Sequence, residues 1–322
     1  MNILVSGCAG FIGYHLSNYL CNKYSKIKVF GFDNLNNFYS IEHKNKRMQN
    51  LKKNSNFFFK KIDLFKKKKL ELFIKKNKIN IVFHLAAQAG VRDSLKMPET
   101  YYKSNFEGFL NIIGLSKKYR VKKFIFASSS SVYGDKKKFP LNENMKIIPK
   151  NIYAATKKVN EEIARDISLI SDMSIIGLRF FTVYGKYGRP DMFIFKYLKT
   201  LFNKKKFELY NHGKNYRDYT HIDDVVRIID KLREKKLKKK FEIFNICSSQ
   251  PIDIQKLSVF ISKFLNKKSQ IVLRKRNKIE VIKTHGNNKK ILQFLNCKIE
   301  KKIYFELPKI INWYKQNNIW RI

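Results

Sequence analysis

Tyr153 and Lys157 stand four residues apart in Tyr153-Ala154-Ala155-Thr156-Lys157, so on an α-helix they share one face. A free phenol ionises near pH ~10, too high for a base at neutral pH, and an ammonium beside it favours the phenolate. Such a pair can take a proton from an alcohol while a neighbouring group removes hydride. The same residues also describe a helix with a packed Tyr and a solvated Lys, so the chemistry needs a hydride acceptor elsewhere in the chain. Ser6-Gly7-Cys8-Ala9-Gly10-Phe11-Ile12-Gly13 offers a place for one. Its three glycines suit a tight turn, close approach of backbone to a pyrophosphate, and close helix–strand packing, with free N–H groups facing the phosphates. The apolar run Ile3-Leu4-Val5 precedes them, a helix to about Tyr24 follows, and a second strand, Ile27 to Phe32, ends in Asp33. An acid there can hydrogen-bond the ribose hydroxyls of NAD and disfavour NADP.

These residues need elements to hold them. Phe57-Phe58-Phe59 with Ile62 reads as a third strand ending at Asp63-Leu64, followed by a helix through Leu70 to Lys76. Ile81 to Leu85 reads as a fourth strand entering Ala86-Ala87-Gln88-Ala89-Gly90, whose small residues let backbone lie against a ligand. A long helix is expected from Pro98 to Tyr119, then a fifth strand, Lys123 to Ala127, opening into Ser128 to Ser131. The Tyr153 helix and a strand from Ser174 to Arg179 come next. Strands alternating with helices imply right-handed crossovers, hence α/β architecture with a doubly wound parallel sheet of the Rossmann type. Ligands in such sheets bind beyond the carboxyl ends of the strands. Asp33, Asp63, Ala86, Ala87 and Ser128 to Ser130 all fall there. Residues 1–180 are expected to form the dinucleotide-binding domain, with 222–248 returning to its sheet. Residues 181–221 and 249–322 are expected to form a smaller substrate lobe, with tail helices near Asp253 to Leu265, Asn288 to Leu295 and Leu307 to Gln316. His15, His43 and His84 lack a second ligand at metal spacing and read as packed histidines.

The formal charge of +43 is large and admits a nucleic-acid partner, an anionic membrane or an anionic substrate. The excess is mostly Lys and comes with abundant Asn, Ile and Phe throughout, as an A/T-biased genome would produce. The Lys runs fall at predicted helix ends and loops, without interleaved aromatics or a nucleic-acid-binding motif. No nucleic-acid partner is therefore expected. The four cysteines, Cys8, Cys21, Cys247 and Cys297, are scattered, which argues against zinc or a disulfide framework. With no apolar run of membrane-spanning length, the expectation is a soluble, cytoplasmic protein with neither metal nor membrane partner.

Together these motifs resemble the extended short-chain dehydrogenase/reductase family over nearly the whole chain. The carriers are Gly7/Gly10/Gly13, Asp33, Asp63-Leu64, His84-Leu85-Ala86-Ala87, Asn105, Ser128 to Gly134, Tyr153/Lys157 and Arg217-Asp218-Tyr219. Ala87-Gln88-Ala89-Gly90-Val91-Arg92, Leu178 to Gly185, Gly188-Arg189-Pro190-Asp191-Met192 and Asn211 to Lys214 point within it to enzymes acting on UDP-hexuronates. The resemblance implies a UDP-sugar substrate and interconversion of UDP-glucuronate and UDP-galacturonate through a transient 4-keto sugar, on retained NAD. It implies Tyr153, Lys157 and Ser129 as catalytic residues. Cofactor contacts would come from Gly7, Gly10, Phe11, Ile12, Gly13, Asp33, Asn34, Asp63, Leu64, Leu85, Ala86, Ala87, Asn105 and Phe180, besides Tyr153 and Lys157. Thr182 and Arg189 would bind the sugar carboxylate with Arg92 nearby, and Ser128 and Ser130 would flank Ser129. Arg217 would hold the phosphates and Tyr210 would pack on the base. Resembling dehydratases carry Asp-Glu where Ser130-Ser131 stand, so elimination of water lacks its acid and base.

One stretch departs from the family. Pro-Gly-Asp-Val is replaced by Lys278-Ile279-Glu280-Val281, with Glu280 standing for the Asp, which puts its nucleotide contacts in question. The resemblance also implies a homodimer through the helices near 98–119 and 153–171. Two rival readings remain: a 4-epimerase of neutral or N-acetylated nucleotide sugars, and a non-catalytic basic Rossmann protein that binds nucleic acid.

Overall fold

The computed structural model describes residues 1–276 and 279–321, so Lys278 of the divergent stretch lies outside it. In chain order the strands are β1 Asn2–Ser6, β2 Lys28–Asp33, β3 Phe57–Lys61, β4 Ile81–His84, β5 Lys123–Ser129 and β6 Ser174–Phe180. Then follow β7 Thr182–Tyr184, β8 Phe207–Leu209, β9 Tyr216–His221, β10 Phe241–Ile246, β11 Pro251–Asp253 and β12 Ile271–Leu273. Seven of them form one sheet in the order β10-β6-β5-β4-β1-β2-β3, every pairing parallel. Strand order reverses between β1 and β4, so the crevice for a ligand opens there.

The strands are apolar on both faces because helices cover both. Ile3 and Val5 of β1 join Leu16, Leu20, Val225 and Ile229 in one core. Leu4, between them, points the other way into a core with Leu70, Ile112 and Ala164. This is the two-residue alternation of a strand read directly in packing. The first core is roofed by helices Phe11–Lys23 and Ile222–Glu234, the second by Lys67–Lys76, Gly108–Lys118 and Ile152–Leu169. A third core, around Tyr197, Leu257 and Ile310, packs the helices Phe193–Phe202, Ile254–Leu265 and Ile303–Gln316 beside the sheet.

Three elements differ from expectation. The long helix from Pro98 is α-helical at Pro98–Tyr101 and Gly108–Lys118, with a π-helical turn over Tyr102–Glu107 between them. The wider turn directs Asn105 inward, where its carboxamide grips the Gln88 backbone at both ends. A helix over Ile41–Leu51 has no apolar periodicity because its buried face includes His43, Lys44 and Arg47 as well as Met48 and Leu51. The last long helix starts at Ile303, a turn earlier than expected, with Ile303 and Leu307 buried.

Gly7 is required by contact and by conformation, and Gly13 by contact. Gly7 has φ +70°, and a Cβ there would lie 2.8 Å from the Ala86 backbone. A Cβ on Gly13 would sit 2.2 Å from the Gly7 carbonyl oxygen. Gly13→Ala should therefore push the first helix off the turn, at a cost of about 1–3 kcal/mol, and yield folded protein with little bound NAD. Purification with full NAD content, read by absorbance, would contradict this.

Candidate active site

A cleft of about 870 Å³ runs across the carboxyl ends of the strands, between the sheet and the third core. One wall is the glycine turn. Gly10 caps the first helix without a side-chain bond and no acid stands in its first turn. Tyr14 is the first amide to bond back, to Gly10 O at 2.9 Å, and Phe11, Ile12 and Gly13 line the cleft. Unpaired N–H groups at a helix start attract phosphate. Asp33 ends β2 and accepts from the amides of Ala9 at 3.2 Å and Leu35 at 2.8 Å. Burial raises its pKa, opposed by the charge of Lys44. Asn34 donates to Asp63 at 2.9 Å, and Leu64, Leu85, Ala86, Ala87 and Phe180 complete this half.

The other half centres on Tyr153. Asn151 caps its helix by accepting from the Ala154 amide at 2.9 Å, which fixes the turn that carries Tyr153 and Lys157. Lys157 Nζ donates to Ala127 O at 2.8 Å and stands 6.0 Å from the Tyr153 ring centre. Burial raises the Tyr153 pKa, against the pull of a Ser129 hydrogen bond and the Arg189 charge. Burial thus outweighs the Ser129 and Arg189 contacts at the phenol, and the Lys157 ammonium is aimed at the Ala127 carbonyl. Burial also brings Lys157 down to about 8, opposed by Glu161.

Ser128 to Ser131 all line the cleft, and they differ in what their hydroxyls bond. Ser129 faces the cleft and its hydroxyl accepts from the Ser131 amide at 3.2 Å. Ser128, expected beside the substrate, has its hydroxyl committed to buried Glu161. Ser130 lines the cleft. Asn105, expected as a cofactor contact, is buried behind the wall, tying the Gln88 loop to Thr156 at 3.2 Å; its neighbour Ser104 lines the cleft instead.

Opposite Tyr153, Thr182 and Arg189 line the cleft. One edge of the Arg189 guanidinium, Nε and Nη2, is held by Asp191. Arg92, expected near them, also lines the cleft. Its guanidinium is 4.3 Å over the Tyr210 ring and pairs with Glu280. Arg217 completes this end, donating to the carbonyls of Tyr216 and Ile282 at 2.9 Å each. Of the divergent stretch, Ile279, Glu280 and Val281 line the cleft. Backbone bonds between Tyr216 and Ile282, and between Thr284 and Tyr216, each 3.0 Å, anchor it to β9.

Sequence reasoning missed Lys44, Arg47, Glu161 and Asp191. Glu161 was legible as the next step of the Tyr153, Lys157 spacing, and Asp191 as the acid two residues from Arg189. Lys44 and Arg47 carried no signal, since charged residues on a polar helix read as solvated. His84 is a packed histidine, bonded through Nδ1 to Ser6 Oγ at 2.8 Å and brought by burial down to about 3. His15 and His43 are each brought to about 4 by burial.

A glycine turn at a helix start, an acid ending β2 and a Tyr–Lys pair facing the crevice define a dinucleotide-dependent enzyme of the short-chain dehydrogenase type. The chain belongs to the NAD dependent epimerase/dehydratase family, which matches residues 3–247. It is 42% identical over 320 residues to a protein of Methanocaldococcus jannaschii, covering 99% of this chain and 98% of that one. It is 36% identical to a UDP-glucuronate 4-epimerase of Thermodesulfobacterium geofontis, covering 98% and 96%. The crystal structure of a UDP-glucuronic acid 4-epimerase from Bacillus cereus, in complex with UDP-glucuronic acid and NAD, superposes with a TM-score of 0.93. It is 30% identical, with 98% of this chain and 100% of that chain covered. The cradle at Gly7, Gly10 and Gly13 and the acid at Asp33 fit NAD. Among the described residues, no group of His, Cys, Asp and Glu could hold a metal ion, and no helix is long and apolar enough to cross a membrane.

Glu161 is the group that keeps Lys157 charged against its burial. A reaction that uses the Lys157 ammonium should fail as pH rises through about 8. In Glu161→Gln the Lys157 pKa falls further, so the alkaline limb of the kcat profile should move to lower pH by about one unit. An alkaline limb in the same place for both proteins would contradict this.

Proposed function

We propose that the protein is an NAD-dependent 4-epimerase that interconverts UDP-glucuronate and UDP-galacturonate. The observation that carries this reading is Arg189. It stands across the cleft from Tyr153, close enough for its charge to pull on the phenol, and its Nη1 makes no hydrogen bond among the described residues. A planar fork of donors suits a carboxylate better than a point charge does, and a hexuronate differs from a hexose by that carboxylate. The likeness to epimerases named for UDP-glucuronate supports the same substrate.

The residues then take roles. NAD, when bound against Gly7, Gly10 and Asp33, supplies the hydride acceptor and later the donor. Tyr153 receives the proton of the C4 hydroxyl, with Ser129 sharing the hydrogen bond. Lys157 holds the cofactor ribose and adds positive charge beneath the phenol. Arg189 and Thr182 hold the carboxylate, and Arg217 the phosphates. Tyr210 and Glu280, from the 181–221 and 249–322 lobe, frame the base together with Arg92 of the dinucleotide domain. The nucleotide end stays fixed while the flat 4-keto sugar turns over, and Tyr153 returns the proton to O4. Ser130 and Ser131 offer no acid–base pair, so the ring loses no water. The product suits the synthesis of surface polysaccharide in the cytoplasm.

Incubation of the purified protein with UDP-glucuronate and separation of the C4 epimers tests this directly. Tyr153→Phe should lower kcat by a factor of about 10²–10⁴. Arg189→Ala should lower kcat/KM for the uronate by about 10²-fold, the range of a lost charge-assisted pair, and change UDP-glucose turnover far less. Equal turnover of UDP-glucose and UDP-glucuronate by the wild type would defeat the substrate assignment.

A homodimer follows from the same reading. Tyr102, Phe106 and Leu110 form an exposed apolar row along the 98–118 segment, and Val159 and Leu169 are exposed on the neighbouring Tyr153 helix. Contiguous apolar surface of this kind marks a protein contact. Phe106→Glu with Leu110→Glu should convert a dimer to a monomer in sedimentation; a wild-type monomer at micromolar concentration would refute the assignment.

A further inference from the structure

Arg47 is fully buried, in a helix that no motif marks, and among the described residues no carboxylate forms an ion pair with it, although Asp33 feels its charge. Its Nη1 donates to the Ala9 carbonyl at 2.9 Å and to the Tyr39 hydroxyl at 2.6 Å. Its Nη2 donates to the carbonyls of Tyr187 at 2.6 Å and Gly188 at 3.3 Å. Its Nε has no partner. A buried guanidinium with only neutral acceptors is costly, so its geometry calls for a reason. The acceptors supply one. Ala9 belongs to the glycine turn of the dinucleotide site, and Gly188 immediately precedes Arg189. One planar group therefore bridges the cofactor turn and the loop that presents the substrate arginine.

Neighbouring contacts run the same way. His15, on the helix that starts at the glycine turn, bonds the Lys186 carbonyl at 2.8 Å. Asn50, one turn beyond Arg47, donates to the Tyr187 hydroxyl at 2.9 Å, and the Tyr187 ring packs edge-on against Tyr14 at 5.1 Å. The loop thus rests on the two helices that frame the dinucleotide turn. Within that contact, Arg47 hydrogen-bonds the turn and the loop together. Its own loop also returns to Arg189, whose guanidinium lies 5.9 Å from the Phe38 ring centre.

We propose that Arg47 is a positioning residue that couples the dinucleotide turn to Arg189, so that cofactor retention and recognition of the sugar carboxylate fail together when it is shortened. The carboxylate half rests on the function proposed above; the bridge itself does not. Lys cannot replace it, since one ammonium cannot present two donors to each side of the bridge.

The test uses Arg47→Lys and Arg47→Met in full-length protein with saturating NAD, so that loss of cofactor is compensated. Amide hydrogen exchange in residues 185–192 should be at least tenfold faster in both variants than in wild type. KM for UDP-glucuronate should rise about tenfold, with kcat within about threefold of wild type and the affinity for UDP alone unchanged. NAD retained through purification should fall below half in Arg47→Met. Wild-type exchange in 185–192 in the variants would overturn the bridge whatever the substrate proves to be. Recovery of the wild-type KM on adding NAD would overturn the coupling, as would an equal loss of affinity for UDP. Failure of wild type to epimerise UDP-glucuronate would sink the substrate assignment, and the exchange result would still decide the bridge.

Discussion

The buried ion pair between Arg179 of β6 and Glu161 of the Tyr153 helix fixes the geometry on which the site depends. Its two parallel bonds, Nε to Oε1 at 2.9 Å and Nη2 to Oε2 at 2.7 Å, are the strong, directional form of an arginine–carboxylate contact. Desolvating both groups costs several kcal/mol each, so the pair adds little net stability and breaking it costs more than omitting it. What it confers is placement. Ser128 shares the same carboxylate, so the helix is locked to β5 and β6 at the residue four beyond Lys157. Tyr153 and Lys157 cannot shift along the sheet without tearing that bond.

The pair also reaches the far end of the cleft. Arg179 donates to the Tyr133 hydroxyl at 3.0 Å, and Tyr133 donates to Asn245 at 2.7 Å. The Asn245 carboxamide donates to Leu141 O at 2.9 Å and Asn287 O at 3.3 Å. Leu141 in turn exchanges backbone bonds with His285 and Asn287, at 2.8 Å and 2.7 Å. A continuous polar chain thus runs from the proton-transferring helix to the stretch carrying Glu280. The stretch is therefore anchored by backbone bonds and a buried network, which do not depend on its own side chains.

The parts legible in the sequence were those whose signal is local. The glycine turn, the acid ending β2, the Tyr–Lys spacing and the apolar strands each depend on residues a few positions apart. The doubly wound sheet followed from their alternation, and the family match and the structural likeness agree with it. Misplacements came where a side chain's direction depends on distant partners. Ser128 and Ser129 both line the cleft, yet only the fold shows that the Ser128 hydroxyl is committed to Glu161. Asn105 turned inward because a π-helical turn rotates it, and such a turn leaves no trace in hydrophobic period. The Ile41–Leu51 helix buries cations, so the usual rule that charge means solvent hides it.

Net charge and cleft charge are separate matters. Most of the +43 resides on lysines of the surface, where ionic strength screens it within about 10 Å. Inside the cleft, Arg92 is paired with Glu280 and Arg189 with Asp191, so the arginines are oriented before any ligand arrives. An anion that replaces such an acid meets donors already in position and spends little on ordering them. A neutral sugar that displaces the acid leaves a guanidinium unpaired in a partly dry site, which is costly. Under the proposed function, discrimination between charged and neutral sugars needs no closed pocket, because the arginines that would meet the sugar are already oriented by carboxylates.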